Sequence, residues 1–299
     1  MNAEHAPVFI SVNELKELLA SDTPVHLLDI RWRLGADDGH ERYQQGHLPG
    51  AVYVDLDTTL AGHGPATAGR HPLPTEENFT KAMRLWGLNA AEPVVVYDDN
   101  AGLSAARAWW MLRYAGHQPV YILDGGFHSW QQAGEVVQAG EVIPQLGSAT
   151  AVFGSMPAIA MEDVLDQALL IDARAAERYR GETEPMDPRA GHIPGAVNLP
   201  ATALVAEGKL VGDERILQLL AEAGHHNGAD ATAYCGSGVT ASMLVAAAAH
   251  VGQELRLYPG SFSQWSQHAE LPIETGLPEN YGPESATEQL LNSTEDTEG

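Results

Sequence analysis

The sequence predicts an α/β protein built from two similar halves, each a mostly parallel sheet with helices on both faces. Two observations support this fold class. Short, nearly continuous apolar runs alternate with helix-length segments, which is typical of buried parallel strands. Four motifs of the first half also recur, in the same order, about 140 residues later. A chain of 299 residues is long enough for about two domains with cores of their own.

The repeat sets the expected domain boundaries. Its pairs are Leu-Asp-Ile-Arg at 28–31 with Ile-Asp-Ala-Arg at 171–174, the Gly-His-x-Pro-Gly-Ala-Val segments at 46–52 and 191–197, Val-Tyr-Asp at 96–98 with Ala-Tyr-Cys at 233–235, and the Gly-x-Phe-x-x-Trp segments at 125–130 and 260–265. We expect a first domain at 8–135, a linker at 136–156 and a second domain at 157–275. We expect an acidic, disordered tail at 276–299, because its last stretch, 284–299, carries five acidic residues and no basic one.

The elements of the first half follow from its apolar pattern. Strands are predicted at 25–30, 93–97 and 119–123. Ser11 is a suitable N-cap for the first helix because Glu14 follows three residues later, as in a capping box. A second helix is expected at 104–114, ended by Gly116.

The second half repeats this alternation of strand and helix. Its predicted strands are 169–172, 231–234 and 254–258, and its predicted helix, 240–250, ends before Gly252. In parallel sheets, functional residues gather at the carboxyl ends of the strands. Cys235 stands at such an end.

Composition excludes several classes of function. Sixteen basic residues against forty acidic ones give a formal charge of −24, which argues against nucleic acid or an anionic membrane as a partner. No apolar stretch approaches the ~20 residues of a membrane span, and the amino terminus lacks a secretory signal. A single cysteine forms no internal disulfide. We therefore expect a cytoplasmic protein.

Cys235 is the candidate nucleophile. It joins a short apolar strand to the small-residue loop 236–240 and an alanine-rich helix. Unpaired amides and the helix dipole at such a position favour thiolate over thiol. Gly236 and Gly238 allow the loop to curl so that its amides form an anion cradle. The alternative is a cysteine packed as a small hydrophobe, which has no need of a glycine-bracketed loop.

Together these motifs resemble the tandem rhodanese family of sulfurtransferases, from about residue 8 to residue 275. The resemblance rests on Gly-His-Ile-Pro-Gly-Ala at 191–196, Asp-Ala-Arg at 172–174, the six-residue loop 235–240 and Gly-x-Phe-x-x-Trp at 260–265. It implies a catalytic second domain, an inactive first domain and an active site in the cleft between them. In the first domain Asp98 replaces the cysteine, and we interpret it as a carboxylate stabilised at a helix N-terminus.

The loop sequence separates two activities within the family. Cys-Gly-Ser-Gly-Val-Thr at 235–240 is similar to mercaptopyruvate-preferring members, whereas thiosulfate-preferring members have Cys-Arg-Lys-Gly-Val-Thr. The resemblance implies a small anionic sulfur donor, a persulfide on Cys235 and an acceptor such as a thiol, thioredoxin or cyanide. Gly236, Gly238, Val239 and Thr240 would form the binding cradle. It implies no metal and no organic cofactor.

The resemblance further implies a Ser-His-Asp relay beside the cysteine. Ser237 fits the serine, His71 the histidine and Asp57 the acid, with His63 as a rival histidine. A histidine oriented by a carboxylate can move a serine proton during sulfur transfer.

Arginines are expected to hold the donor's carboxylate. Arg178 matches one family position. The second family arginine follows Glu-Pro, where this chain has Met186, so Arg189 is the candidate to replace it. We interpret Arg180 as a surface charge.

Three other functions remain to be weighed. A thiosulfate sulfurtransferase is the main alternative. A non-catalytic sulfur carrier or redox sensor would keep the thiol but show no turnover. A cysteine phosphatase or arsenate reductase needs Cys-x5-Arg, and Ala241 argues against it.

Overall fold

The computed structural model describes residues 7–226 and 228–277. The predicted acidic tail therefore lies outside the described residues from 278 onward. Among the described residues, no helix is both long and apolar enough to cross a bilayer.

The described part of the first half contains five strands and five α-helices, with a π-helical turn at Leu56–Leu60 and a 3-10 turn at Ala66–Ala68. Its strands are β1 (Phe9–Ile10), β2 (His26–Asp29), β3 (Val52–Tyr53), β4 (Val94–Tyr97) and β5 (Val120–Leu123). Its helices are α1 (Val12–Leu19), α2 (Gly39–Gln45), α3 (Glu76–Leu85), α4 (Ala105–Tyr114) and α5 (Gly126–Gln132).

The second half repeats the pattern with shorter strands and adds a small hairpin. Its strands are β6 (Leu170–Asp172), β7 (Val197–Asn198), β8 (Val205–Ala206), β9 (Lys209–Leu210), β10 (Thr232–Tyr234) and β11 (Arg256–Leu257). Its helices are α6 (Ala176–Tyr179), α7 (Asp213–Glu222), α8 (Ala241–His250) and α9 (Ser261–Trp265).

Both main sheets are parallel and share one topology. The first has the order β1-β5-β4-β2-β3 and the second β11-β10-β6-β7. Asp29 pairs with Tyr97 in the first sheet, and Asp172 pairs with Tyr234 in the second. In the second sheet a parallel bridge between Ala158 and Leu257 takes the position that the β1–β5 pair has in the first sheet. The predicted α/β class with two repeated parallel sheets is confirmed.

The predicted strands and helices of the two sheets are found with ends shifted by one or two residues. Ser11 caps α1 with the predicted capping box, since the Ser11 hydroxyl accepts from the Glu14 N–H and the Glu14 carboxylate accepts from the Ser11 N–H. Gly116 and Gly252 follow α4 and α8 with φ of +81° and +73°, a left-handed conformation that favours glycine.

The two halves share one apolar core. Helix α4 of the first half packs against α8 of the second, and one cluster of buried residues includes Trp109 and Leu112 together with Met243 and Leu244. Burying these faces against each other fixes the halves side by side. This packing brings loops of the first half to the carboxyl end of β10.

Candidate active site

Cys235 lies directly after β10 and is almost wholly buried. Its Sγ accepts a hydrogen bond from the Gly238 N–H at 3.2 Å, and its own N–H donates to Ser261 Oγ at 3.1 Å. Gly238 has a φ of +77°, and an added Cβ would stand 2.4 Å from the Pro259 carbonyl oxygen. Glycine is therefore required where the loop turns its amide toward the sulfur.

The structure brings Ser237, His71 and Asp57 together in one hydrogen-bonded chain. His71 Nδ1 lies 2.7 Å from Ser237 Oγ, and His71 Nε2 lies 3.0 Å from Asp57 Oδ1. Because an ionised carboxylate only accepts, we place the ring proton on Nε2, and the Ser237 hydroxyl then donates to Nδ1. His63, the rival histidine, is exposed and takes no part in these hydrogen bonds.

Asp57 is held in its charged form. The hydrogen bond from His71 is the main cause of a lowered pKa of the Asp57 carboxyl, and the Trp32 indole N–H adds to it from 2.9 Å. The Trp32 ring also meets the His71 ring edge to face, with centroids 5.4 Å apart. Asp57 and Trp32 together orient the histidine.

A cavity of about 230 Å³ opens beside Cys235. The loop residues Gly236, Ser237, Val239 and Thr240 form one wall. The other walls come from both halves, and include Trp32, Leu34, Arg70, Leu103, Arg174, Arg178 and Thr202. The predicted cleft between the halves is therefore present at the sulfur.

Two guanidinium groups flank Gly236 in this cavity. A Cβ added at Gly236 would lie 2.9 Å from Arg70 Nη2 and 3.4 Å from Arg178 Nη1. Arg178 also pairs with Glu184 at 2.7 Å and with Asp187 at 3.1 Å, and Arg70 pairs with Asp187. Burial is the largest single effect on Glu184 and works against its ionisation. The hydrogen bonds from Arg178 and from the Met186 and Asp187 N–H groups, together with the charge of Arg178, outweigh burial and lower the pKa of that carboxyl.

The structure corrects the placement predicted for Arg189. Its guanidinium donates to the backbone carbonyls of Trp265, Ser266, His268 and Leu271 at 2.6–3.2 Å. The side chain is held by these four groups and does not line the cavity. Arg180 pairs with the exposed Glu182, as expected of a surface charge.

Arg70 is the cavity residue that sequence reasoning missed. It precedes His71, so the same loop supplies the relay histidine and a guanidinium. Its position next to the candidate histidine is the sequence signal that could have predicted Arg70 as a site residue. Its pairing with Asp187 joins residues more than a hundred positions apart, which no local pattern records.

The equivalent loop of the first half carries its own anion. The Asp98 carboxylate accepts the N–H groups of Asn100, Gly102, Ser104 and Ala105 at 2.8–2.9 Å. Burial raises the pKa of this carboxyl, and the four amides oppose that effect.

Asp99 follows Asp98 as Gly236 follows Cys235, so it stands at the position that corresponds to Gly236. Its carboxylate pairs with Arg42, which precedes Tyr43 in α2 as Arg178 precedes Tyr179 in α6. The two tyrosines are equivalent, because each donates its hydroxyl to the carbonyl of a matching alanine, Ala51 or Ala196.

Comparisons with known proteins identify the family. The rhodanese-like domain model matches residues 11–133 and again 158–268. The chain therefore belongs to the rhodanese-like domain family, with two copies of the domain, and the predicted membership is confirmed.

Relatives extend over nearly the whole chain. A Mycobacterium tuberculosis protein called "Putative thiosulfate sulfurtransferase SseB" is 43% identical, over 90% of this chain and 97% of that protein. The 3-mercaptopyruvate sulfurtransferase of Escherichia coli is 35% identical, over 89% of this chain and 97% of that protein.

Solved structures agree with these relatives. The crystal structure of SseA from Escherichia coli, described as a 3-mercaptopyruvate sulfotransferase, is 34% identical and gives a TM-score of 0.76, covering 86% of this chain and 99% of that one. The 3-mercaptopyruvate sulfurtransferase from Leishmania major gives 0.79 at 31% identity, covering 89% and 76% of the two chains.

Proposed function

We propose that this chain is a 3-mercaptopyruvate sulfurtransferase, which moves a sulfur atom through a persulfide on Cys235 to a thiophilic acceptor. The observation that carries the proposal is the arrangement around Sγ: a nucleophile bonded by a loop amide, a Ser-His-Asp chain beside it, and two guanidinium groups at Gly236. In this proposal the domain at 157–275 is catalytic, the domain at 8–135 lends residues to the cleft, and 136–156 joins them.

The donor's carboxylate would bind to Arg178 and Arg70. A forked guanidinium matches a carboxylate, and two of them fix its orientation. Arg70 thus takes the role first expected for Arg189. Apolar side chains of Trp32, Leu34 and Leu103 would cover the short carbon chain of the donor.

Sulfur transfer would begin with the Cys235 thiolate attacking the thiol sulfur of the donor. The S–S bond forms as the carbon–sulfur bond breaks, and its electron pair becomes the enolate of pyruvate. Ser237 and His71 transfer the donor's thiol proton to the enolate carbon from which the sulfur departed, while Asp57 holds the imidazole in place. Pyruvate leaves, and an anionic persulfide remains on Cys235, bound by the loop amides.

A second thiophile would then remove the outer sulfur. We propose a small thiol, a thioredoxin-like protein or cyanide as the acceptor, with two-step exchange kinetics. Every step uses the chain's own residues, so the proposal invokes no metal and no organic cofactor. We also propose that the protein works in the cytoplasm, whose reducing conditions suit a free thiol.

Thiosulfate is the second candidate donor. It is favoured by the name of the 43% identical relative and by the two guanidinium groups at Gly236, which could also bind a dianion. Ser237 argues against thiosulfate, because it is neutral, whereas the loop typical of thiosulfate-preferring members has lysine at this position.

Steady-state release of sulfide or transfer to cyanide, measured with both donors side by side, tests the proposal. We expect kcat/KM for 3-mercaptopyruvate to exceed that for thiosulfate by about tenfold or more. Cys235→Ser is the control and should be inactive with both donors. A tenfold preference for thiosulfate would replace the proposed donor, and activity in the serine variant would remove the proposed nucleophile.

A further inference from the structure

Arg107 lies beneath the cysteine loop although it belongs to helix α4 of the first half. Its side chain is 0% exposed. Nη1 donates to the Gly238 carbonyl at 3.4 Å, and Nη2 donates to the His71 carbonyl at 3.2 Å. Nε and Nη2 also donate to the Leu60 carbonyl at 3.3 and 3.2 Å. One guanidinium therefore holds both the loop that carries the nucleophile and the loop that carries the relay histidine.

The charge of Arg107 has no carboxylate partner in the described part of the chain. No ion pair involves it, whereas the buried Arg31 and Arg174 each pair with the aspartate two residues before them at 2.7 and 2.6 Å. Burial lowers the pKa of Arg107 to about 10, so the group remains protonated at neutral pH. An unpaired buried cation is costly, which suggests that its counter-charge arises during function.

Cys235 is the neighbouring group that can supply that counter-charge. Gly238 contacts both partners, because its N–H donates to Cys235 Sγ at 3.2 Å while its carbonyl accepts from Arg107. The Coulomb interaction with Cys235 also opposes the effect of burial on the pKa of Arg107. The thiol, unlike any nearby carbonyl, can become an anion.

We propose that Arg107 is a positioning residue whose buried positive charge is the counter-charge of the anionic sulfur on Cys235. Its hydrogen bonds to the Gly238 and His71 carbonyls also fix the position of the cysteine loop relative to His71. The persulfide part of this inference rests on the proposed function. The thiolate part does not, because any thiolate at Cys235 would feel the same charge.

The other charged groups around Cys235 are already compensated. Arg70 and Arg178 share Asp187, and Arg174 pairs with Asp172. His71 accepts from Ser237 at Nδ1 and donates from Nε2 to Asp57, so in this tautomer its ring adds no positive charge. Arg107 thus differs from the cavity arginines, whose charges face carboxylates as well as the cavity.

The pH dependence of Cys235 alkylation by iodoacetamide tests this inference without a sulfur donor. Arg107→Gln keeps a hydrogen-bond donor for the carbonyls but removes the charge, and Arg107→Lys keeps the charge. We expect the alkylation midpoint to rise by about one pH unit or more in the Gln variant, because a nearby opposite charge shifts such an equilibrium by about 1–3 units. The Lys variant should shift the midpoint less than the Gln variant, because a buried lysine keeps its charge over the lower part of the titration.

Arg113→Gln is the matched control. Arg113 lies six residues further along α4, over the Trp109 ring. Its loss should lower the melting temperature without moving the alkylation midpoint. A purely structural role for Arg107 predicts the same result for Arg107→Gln, and that result would overturn the inference.

A second measurement needs no variant at position 107. The Nε–H resonance of Arg107 in an NMR titration of the wild type should move with the same midpoint as the alkylation of Cys235. It should stay flat in Cys235→Ser. A flat resonance in the wild type would overturn the inference even if Arg107→Gln fails to fold. If the wild type does not turn over mercaptopyruvate but Arg107→Gln still shifts the alkylation midpoint, only the proposed donor is rejected.

Discussion

The aspartate loop (residues 98–105) and the cysteine loop (residues 235–240) are two versions of one anion site. The first holds a permanent carboxylate with four backbone amides. The second places a thiol at the equivalent position, with an amide donating to its sulfur. The comparison indicates that the repeated loop stabilises negative charge in both halves. In the first half that charge is part of the sequence, and in the second we propose that it is the thiolate and then the persulfide.

The residue after each anion extends the comparison to the substrate. Asp99 places a carboxylate on Arg42, whereas Gly236 leaves the space before Arg178 and Arg70 open. In the first half the carboxylates of Asp98 and Asp99 thus stand at the positions that the reactive sulfur and the donor's carboxylate would take in the second half. An α-keto carboxylate on Arg178 would correspond to Asp99 on Arg42.

Gly236→Asp tests this correspondence most severely. The new carboxylate should pair with Arg70 and Arg178 as Asp99 pairs with Arg42, and like-charge contact with the donor costs several kcal/mol. We expect kcat/KM for mercaptopyruvate to fall by about a thousandfold on that ground. Gly236→Ala, whose Cβ comes too close only to the end of the Arg70 side chain and is in ordinary contact with Arg178, should lose about tenfold or less. Equal losses in the two variants would mean that the loop fails for steric reasons.

His71→Asn removes the proton relay, which has no counterpart in the aspartate loop. We expect kcat to fall by about a hundredfold, within the usual contribution of a general acid or base. His63→Asn, at the exposed rival position, should leave kcat unchanged. Stopped-flow release of pyruvate would separate this step from acceptor turnover.

Arg70→Met should act mainly on donor binding. One guanidinium of two is lost, so KM should rise about tenfold with kcat changed much less. Arg178→Met should have a similar or larger effect, and Arg180→Met should have none because that side chain is at the surface. If Arg70→Met lowers kcat at constant KM, the carboxylate does not bind where we propose.

Asp98→Ala should change stability and leave the chemistry nearly intact. Orphaning four amides should cost roughly 2–4 kcal/mol of unfolding free energy, measured by denaturant titration. Because burial raises the pKa of Asp98, the contribution of its side chain to the unfolding free energy should become more favourable as the pH falls from the raised pKa toward the ordinary aspartate value of 3.8.

Asp57 should behave in the opposite sense. Its pKa is lowered, chiefly by the His71 hydrogen bond, so its contribution is complete above 3.8 and is lost as the pH falls through the lowered value. Stability of Asp57→Asn relative to the wild type, followed through that acidic range, checks the sign. A difference that grows on acidification would contradict it.

The sequence predicted what local pattern controls. Strands such as β4 and β10 are continuous apolar runs, and α4 and α8 end at glycines with left-handed φ. The two-residue strands β3 and β7 have no such run and were not predicted. Their places in the sheet depend on pairing with β2 and β6.

The candidate site divides in the same way. Cys235 follows from the pattern of strand, loop and helix, and the family resemblance supplied Ser237, His71, Asp57 and Arg178. Arg70 and Arg107 reach the site because the first half packs against the second. Arg189 lies elsewhere because it donates to backbone carbonyls at and after the end of α9. Contacts between distant segments carry no periodic signal in the chain.

Intact-mass spectrometry of protein treated with mercaptopyruvate in the absence of an acceptor tests the central claim most directly. The account predicts a gain of one sulfur, about 32 Da, that is located on Cys235, removed by cyanide and absent from Cys235→Ser. A mass that stays constant, or a sulfur that persists in the serine variant, would contradict it.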